Sequence, residues 1–317
     1  PEKAGTAATP KWNRFSLPCF LVGLGLLGFL VYQPYLLFEK FYLFKDAATD
    51  TVDAFWPVLY AVTAHVQEFG WPLWTFNAGV GMNISGWIGD PFGLLLLFID
   101  PDQVAFGLGW MQWLKVVLAG AFFYGWLRVA GGGRYAAAFG AVSLAFSAHM
   151  VIRGNWIHYA TEVVVVAFAL FAFECWLKRR IWPILVIALF FVLSRGTYHA
   201  ALWSFLFFLY ALARLWNEGA LRPKHILPTL GNLGLLYLTA LLLAGFFFLP
   251  GTFEIFQSPR VTGDASLVSS LINQPFFAIN RPEMWISGLG GLFAPDIFGR
   301  GVDYTGWRNY LEGFHLY

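Results

Sequence analysis

Charge is what this chain has least of. Lys, Arg, Asp and Glu make up 12% of its 317 residues, about half the share found in soluble globular domains. With 58% hydrophobic residues and a mean hydropathy of +0.62, that scarcity excludes a compact water-soluble domain and points to a polytopic membrane protein. Cysteine is equally sparse. Cys19 and Cys175 each lie inside an apolar run, which excludes a disulfide framework and a cysteine metal site and makes both small buried hydrophobes. There is no His-x-x-x-His pair and no Gly-x-Ser-x-Gly elbow. The Gly79-Val80-Gly81 stretch lacks the third glycine and the strand–helix setting of a dinucleotide site. The net charge of +2 is spread through short loops, so no nucleic-acid partner is expected. No cleavable leader is expected in this stretch: Lys11 and Arg14 precede an apolar run that is too long and has no small-residue cleavage site.

Aromatic residues and long apolar runs are abundant. Aromatics reach 20%, with 34 Phe and 15 Trp, which suits interfacial belts and an aromatic-lined cleft. A membrane-spanning helix needs about 20 apolar residues. Seven segments approach that length: Phe15–Phe38, Val104–Val129, Tyr135–Val151, Ile157–Leu177, Ile181–Leu193, Ala200–Leu215 and Ile226–Leu249. The fifth is short, and Ser194-Arg195-Gly196-Thr197-Tyr198-His199 interrupts the pattern after it. Pro91–Ile99 is too short to span and reads as an interfacial or re-entrant piece packed on protein. If the seven segments alternate, four basic clusters share one side: Lys11 with Arg14, Arg128 with Arg134, Lys178-Arg179-Arg180, and Arg214 with Arg222 and Lys224. The positive-inside rule makes that side cytoplasmic. Loop 39–90 and tail 250–317 then lie outside. The predicted fold is an all-α, polytopic transmembrane helical bundle with a long structured first extracytoplasmic loop, too aromatic for disorder. Residues 1–249 form the membrane module, and 250–317 begin an extracytoplasmic segment that continues in a longer protein.

Directly after the first apolar run comes Phe44-Lys45-Asp46-Ala47-Ala48-Thr49-Asp50-Thr51-Val52-Asp53-Ala54-Phe55-Trp56-Pro57. A helical reading puts Asp46, Asp50 and Asp53 on one face, where like charges repel. Acidic residues gathered there suggest a metal, a cationic partner or proton transfer. Asp50 reads either as a helix N-cap with Asp53 at the third position or as a general base for an acceptor hydroxyl. Pro57 should kink this helix or set its start. Trp71, Trp74 and Asn77 belong to a Trp- and Gly-rich stretch that is either an interfacial anchor or a rim stacking on a sugar or headgroup. Asp90 before Pro91 is a second acid of the cleft or the start of a turn. His158 and Glu162 stand four apart on one helix face, as a structural pair or as part of the site. Arg195 and His199, in the break, can hold a phosphate or snorkel to the interface. Any metal would be a hard, oxygen-bound divalent cation, Mg²⁺ or Mn²⁺, with Asp50 and Asp90 as ligands.

Asp50-Thr51-Val52-Asp53-Ala54-Phe55-Trp56-Pro57 followed by Trp71-Pro72-Leu73-Trp74-Thr75-Phe76-Asn77-Ala78-Gly79-Val80-Gly81 resembles the bacterial YfhO family. Asn155-Trp156-Ile157-His158, the 194–199 break and Asn309-Tyr310-Leu311-Glu312-Gly313 are also similar, so the likeness runs from about residue 40 to 317. Ala54 stands where the family has Gln, and Thr75 where it often has Asn. The resemblance implies a GT-C-type integral glycosyltransferase of the bacterial cytoplasmic (inner) membrane, acting in the cell envelope. Its donor would be a sugar on polyprenyl phosphate, its acceptor an extracytoplasmic glycan, lipid or protein, and its essential aspartate Asp50. Asp46, Asp53 or Asp90 would assist or bind the cation, Arg195 and His199 would hold the donor phosphate, and Trp71, Trp74, Asn77, His158 and Glu162 would line the cleft among membrane lipids. A lipid or polysaccharide transporter and a noncatalytic subunit of a larger membrane assembly are the alternatives.

Overall fold

The computed structural model describes residues 16–43, 51–71, 74–76, 81–83, 89–151, 156–218, 226–257 and residue 286. These residues build a helical bundle. Helix α1 (Ser16–Leu36) leads, and a π-helical turn (Thr51–Phe55) runs into α2 (Trp56–Phe69). A two-residue antiparallel ribbon follows, β1 (Trp74–Thr75) on β2 (Met82–Asn83). Then come the short α3 (Gly93–Leu96), α4 (Val104–Ala130), α5 (Arg134–Ala145), the short α6 (Ala148–Val151), α7 (Ile157–Arg179), α8 (Trp182–Leu193), α9 (Thr197–Asn217) and α10 (Ile226–Gln257). Among the described residues, five helices are long and apolar enough to cross a membrane: α1, α4 with the 3₁₀ turn before it, α7, α9 and α10.

One of the seven expected spans is shorter than the sequence suggested, and the fifth is short as expected. Helices α5 and α8 each have 12 residues, about 18 Å at 1.5 Å per residue, against roughly 30 Å of hydrocarbon. The α5 segment closes at Ala145, and Ala148–Val151 forms a separate turn. Helix α8 is nonetheless buried along one face. Leu185, Ala188, Leu189, Val192 and Leu193 are all buried, in a cluster with residues of α7, α9 and α10. Helix α10 runs through Pro250 to Gln257, past the boundary expected at Leu249.

The central helix is α4, which packs on α1, α5 and α7. Small residues allow the close approach. A Cβ at Gly109 would sit 2.8 Å from Tyr35 Cβ of α1, and one at Gly120 would meet Leu24 at 2.6 Å and Ala145 at 3.2 Å. Cys175 is buried as expected, but Cys19 is exposed, because its face of α1 meets no other helix among the described residues.

At one end of the bundle an ionic clamp ties three helices together. Glu174 of α7 is fully buried. It accepts hydrogen bonds from Arg214 Nε and Nη2 and from Tyr210 Oη of α9, and Tyr210 in turn accepts from Trp126 Nε1 of α4 at 2.7 Å. Nearby, Lys178 donates to the Val129 carbonyl at 2.9 Å. The opposite end is covered by part of loop 39–90. Pro57 lies in the first turn of α2 and so sets its start. Val62 and Val66 of α2 pack on Leu97, while Gln67 Nε2 donates to the carbonyls of Leu97 (3.0 Å) and Ile99 (2.7 Å). The piece after Pro91 is therefore packed on protein, without spanning. Gly81 has φ +110°, and a Cβ there would lie 2.6 Å from Trp74 Nε1, so the ribbon requires glycine at this point. Asn83 of the ribbon donates to Glu254 of α10 at 2.8 Å.

Candidate functional site

The charged residues at this loop-covered end converge between the first turns of α7 and α9. Asp90 sits just before α3. Its Oδ1 accepts the backbone N–H groups of Phe92 (2.8 Å) and Gly93 (3.3 Å), and its Oδ2 accepts the Thr161 hydroxyl of α7 (2.9 Å). Arg195, in the turn between α8 and α9, places Nη1 2.9 Å from the same Oδ2. Gly196 makes that turn possible with φ +87°, after which α9 begins. Burial pushes the Asp90 pKa up, but the Arg195 guanidinium, the Lys115 ammonium, the Phe92 amide and the Thr161 hydroxyl outweigh it. Together they hold the carboxyl at about 2, below its ordinary 3.8. Asp90 is thus anionic at any working pH, and its two oxygens already serve four donors.

Lys115 of α4 is fully buried. It donates to the Ile157 carbonyl at 2.8 Å and lies 5.2 Å from the Phe92 ring centroid. One turn earlier, buried Gln112 donates to the Met150 carbonyl at 2.7 Å. The two side chains thus satisfy carbonyls on either side of the connection between α6 and α7, where backbone groups leave the helical pattern.

Glu162 of α7 is almost fully buried, and His199 Nε2 of α9 stands 3.0 Å from its Oε1. The distance is that of an ion pair, while the angle falls short of a directed hydrogen bond. The His158 ring packs on Phe55 (5.2 Å between centroids), Tyr159 (4.4 Å) and His199 (6.1 Å). Asp90, Arg195, His158 and His199 open onto one cavity of about 290 Å³, whose remaining walls are chiefly apolar, including Phe55, Leu59, Met111 and Ile157. Arg195 has a 5% exposed side chain, and its buried Nε has no acceptor among the described residues. A buried guanidinium with one donor unused, beside two helix N-termini, favours an anion in this cavity.

A second, almost wholly apolar cavity of about 200 Å³ lies further along the same helices, between Val166, Ala169 and Leu170 of α7 and Trp203, Leu206 and Phe207 of α9. Trp203 is one turn beyond His199, as Val166 is beyond Glu162. The Trp203 Nε1 is buried with no acceptor among the described residues.

Of the residues picked from sequence, Asp90, His158, Glu162, Arg195 and His199 are brought together. The i, i+4 partnership of His158 with Glu162 gives way to a Glu162–His199 contact between helices, because α7 and α9 face each other there. Arg195 is committed on one side to Asp90 rather than standing free. Trp71 and Trp74 are exposed and are not among the residues lining the cavity. Asp53 is exposed on the π-helical turn. Asp46, Asp50 and Asn77 lie outside the described residues, so the capping reading of Asp50 and the Asp50–Asp90 metal pair do as well. Among the described residues no three His, Cys, Asp or Glu side chains gather to hold a metal ion. Lys115 and Thr161 were missed. For Lys115 the signal was available: it is a cation in the middle of a 27-residue apolar helix, away from Arg128 in the last turn, and ionisable residues at such positions are costly.

No family model, curated protein or solved structure matches this chain.

Proposed function

We propose that the chain is an integral membrane glycosyltransferase of the GT-C type, moving a sugar from a polyprenyl-phosphate donor to an acceptor on the extracytoplasmic side. The observation that carries this reading is Arg195. It is buried and anchored by Asp90, it keeps a buried Nε with no acceptor among the described residues, and it lines a cavity that is otherwise largely apolar. A phosphate on a lipid is the ligand such a site suits. Its oxygens match the guanidinium fork, and its hydrocarbon chain can remain between the helices, where the apolar cavity beside Trp203 offers room. The YfhO resemblance supplies the sugar and the transfer. Asp50, five residues before the cavity-lining Phe55, would orient or deprotonate the acceptor hydroxyl. A divalent cation bridging donor phosphate and acidic residues is compatible with this chemistry and is left to assay.

The test is transfer from a panel of radiolabelled polyprenyl-phosphate sugars by purified protein in nanodiscs. Wild type should transfer at least one of them. Asp50→Asn should fold yet transfer measurably more slowly than wild type. Arg195→Ala should weaken donor binding by about 1.5–3 kcal/mol, the worth of a hydrogen bond to a charged group. A well-folded protein inert toward the whole panel would overturn the reading and favour a transporter or a noncatalytic subunit.

A further inference from the structure

We infer that the Glu162–His199 pair is the proton acceptor of the transfer reaction, an assignment that rests on the function proposed above. The cavity's own chemistry narrows the choice. Among its described lining residues the titratable groups are Asp90, Arg195, His158 and His199. Arg195 stays protonated at any working pH. Asp90 is held at about 2 with both oxygens occupied, so it has little basicity to offer. The two histidines remain, each with an imidazole nitrogen that can offer a lone pair to a proton.

Of these, His199 has a carboxylate partner, Glu162 Oε1 at 3.0 Å from Nε2. A base held by a third group is the recurring arrangement in proton-abstracting sites. With Nε2 turned to Glu162, Nδ1 is the nitrogen left with a lone pair. The imperfect angle of the contact fits this role. A neutral imidazole is held loosely, whereas an imidazolium gains a charge attraction that depends little on angle. Glu162 thereby stabilises the protonated form at the moment it is needed. Burying a carboxylate in a membrane helix is costly, and stabilising an imidazolium gives that burial a function.

In the transfer step the acceptor O–H proton passes to His199 Nδ1, and the acceptor oxygen forms a bond to the sugar's anomeric carbon. The bond from that carbon to the donor phosphate oxygen breaks, and its electron pair leaves with the lipid phosphate, which stays against Arg195. The imidazolium then gives its proton to water. His199 accordingly acts on the acceptor rather than on the donor phosphate, a distinction that kinetics can read.

The experiment uses the full chain in nanodiscs, with the donor and acceptor that the wild type accepts. His199→Ala should lower kcat about 10²–10⁴-fold with the donor KM within about threefold of wild type, and added imidazole should restore at least tenfold of the loss. Glu162→Gln should lower kcat less, and imidazole should not rescue it. His199→Asn, which can still reach Glu162, should bind donor normally and stay slow, separating chemistry from folding. Undiminished kcat in His199→Ala would overturn the inference while leaving the glycosyltransferase reading intact. A raised donor KM with no imidazole rescue would do the same, returning His199 to the phosphate. A wild type that transfers from no donor overturns both.

Discussion

Cutting the Asp90–Arg195 tie is the perturbation whose size the structure fixes best. In the folded protein the Asp90 carboxyl sits at about 2 instead of 3.8. At about 1.36 kcal/mol per pKa unit, its surroundings favour the anion by about 2.5 kcal/mol. That preference is net of a burial penalty, so removing Arg195 alone exposes the penalty. Arg195→Ala should destabilise by about 3–5 kcal/mol, the usual cost of leaving a buried charge without its partner. Asp90→Asn should cost less, because an amide can still accept from the Phe92 and Gly93 N–H groups. The double variant should be more stable than the sum of the single losses implies, with a coupling of about 2–3 kcal/mol. Reversible unfolding in mixed detergent micelles, followed by Trp fluorescence, supplies the four free energies. Because the folded pKa is depressed, this stabilisation is fully present above 3.8 and is lost as pH falls through about 2. Asp90→Asn should flatten stability across that window. Additive single losses, or a wild type whose stability does not change between pH 4 and 2, would refute the reasoning.

Three further outcomes follow. Lys115→Met should destabilise by about 1–3 kcal/mol, the cost of stripping a buried carbonyl of its donor; unchanged unfolding would show that Ile157 finds another partner. At the far end, Glu174→Gln should lower stability by on the order of 3 kcal/mol with donor affinity unchanged, and a loss of affinity instead would tie the clamp to the site. In a background lacking Cys19 and Cys175, a Glu68→Cys protein in intact cells should react with an impermeant thiol reagent, and a Glu218→Cys protein only after permeabilisation; the reverse pattern would invert the proposed topology.

The long helices were legible because long apolar runs leave few alternatives: α1, α4, α7 and α9 begin and end within a few residues of the runs read from sequence, and α10 begins where expected but continues to Gln257. The break at Ser194–Gly196 was legible because Ser, Arg and Gly interrupt an apolar pattern. Charge scarcity also made the site visible, since Asp90, His158, Glu162, Arg195 and His199 stand out against so little else. Pairing was the part that stayed hidden. Thr161 is 71 residues from Asp90, and the partner of Glu162 is on another helix, so adjacency along one helix misled. Lys115 was passed over because nothing near it in sequence hints at the Ile157 carbonyl it serves. The shortness of α5 escaped because hydropathy measures apolar content and not where a helix stops, whereas that of α8 showed in the length of its apolar run. The exposure of Cys19 depends on which face of α1 meets α4, which composition does not encode.

The claim at the centre is that Arg195 receives the phosphate of a membrane-borne lipid, and native mass spectrometry of the purified chain with a polyprenyl phosphate and the polyprenol of equal length measures it directly. An unpaired buried guanidinium donor worth about 1.5–3 kcal/mol to an anion corresponds to about 10- to 150-fold tighter binding of the phosphate. That preference should collapse to within about threefold in Arg195→Gln. Equal affinity of the wild type for phosphate and alcohol, or a preference that survives Arg195→Gln, would contradict the account.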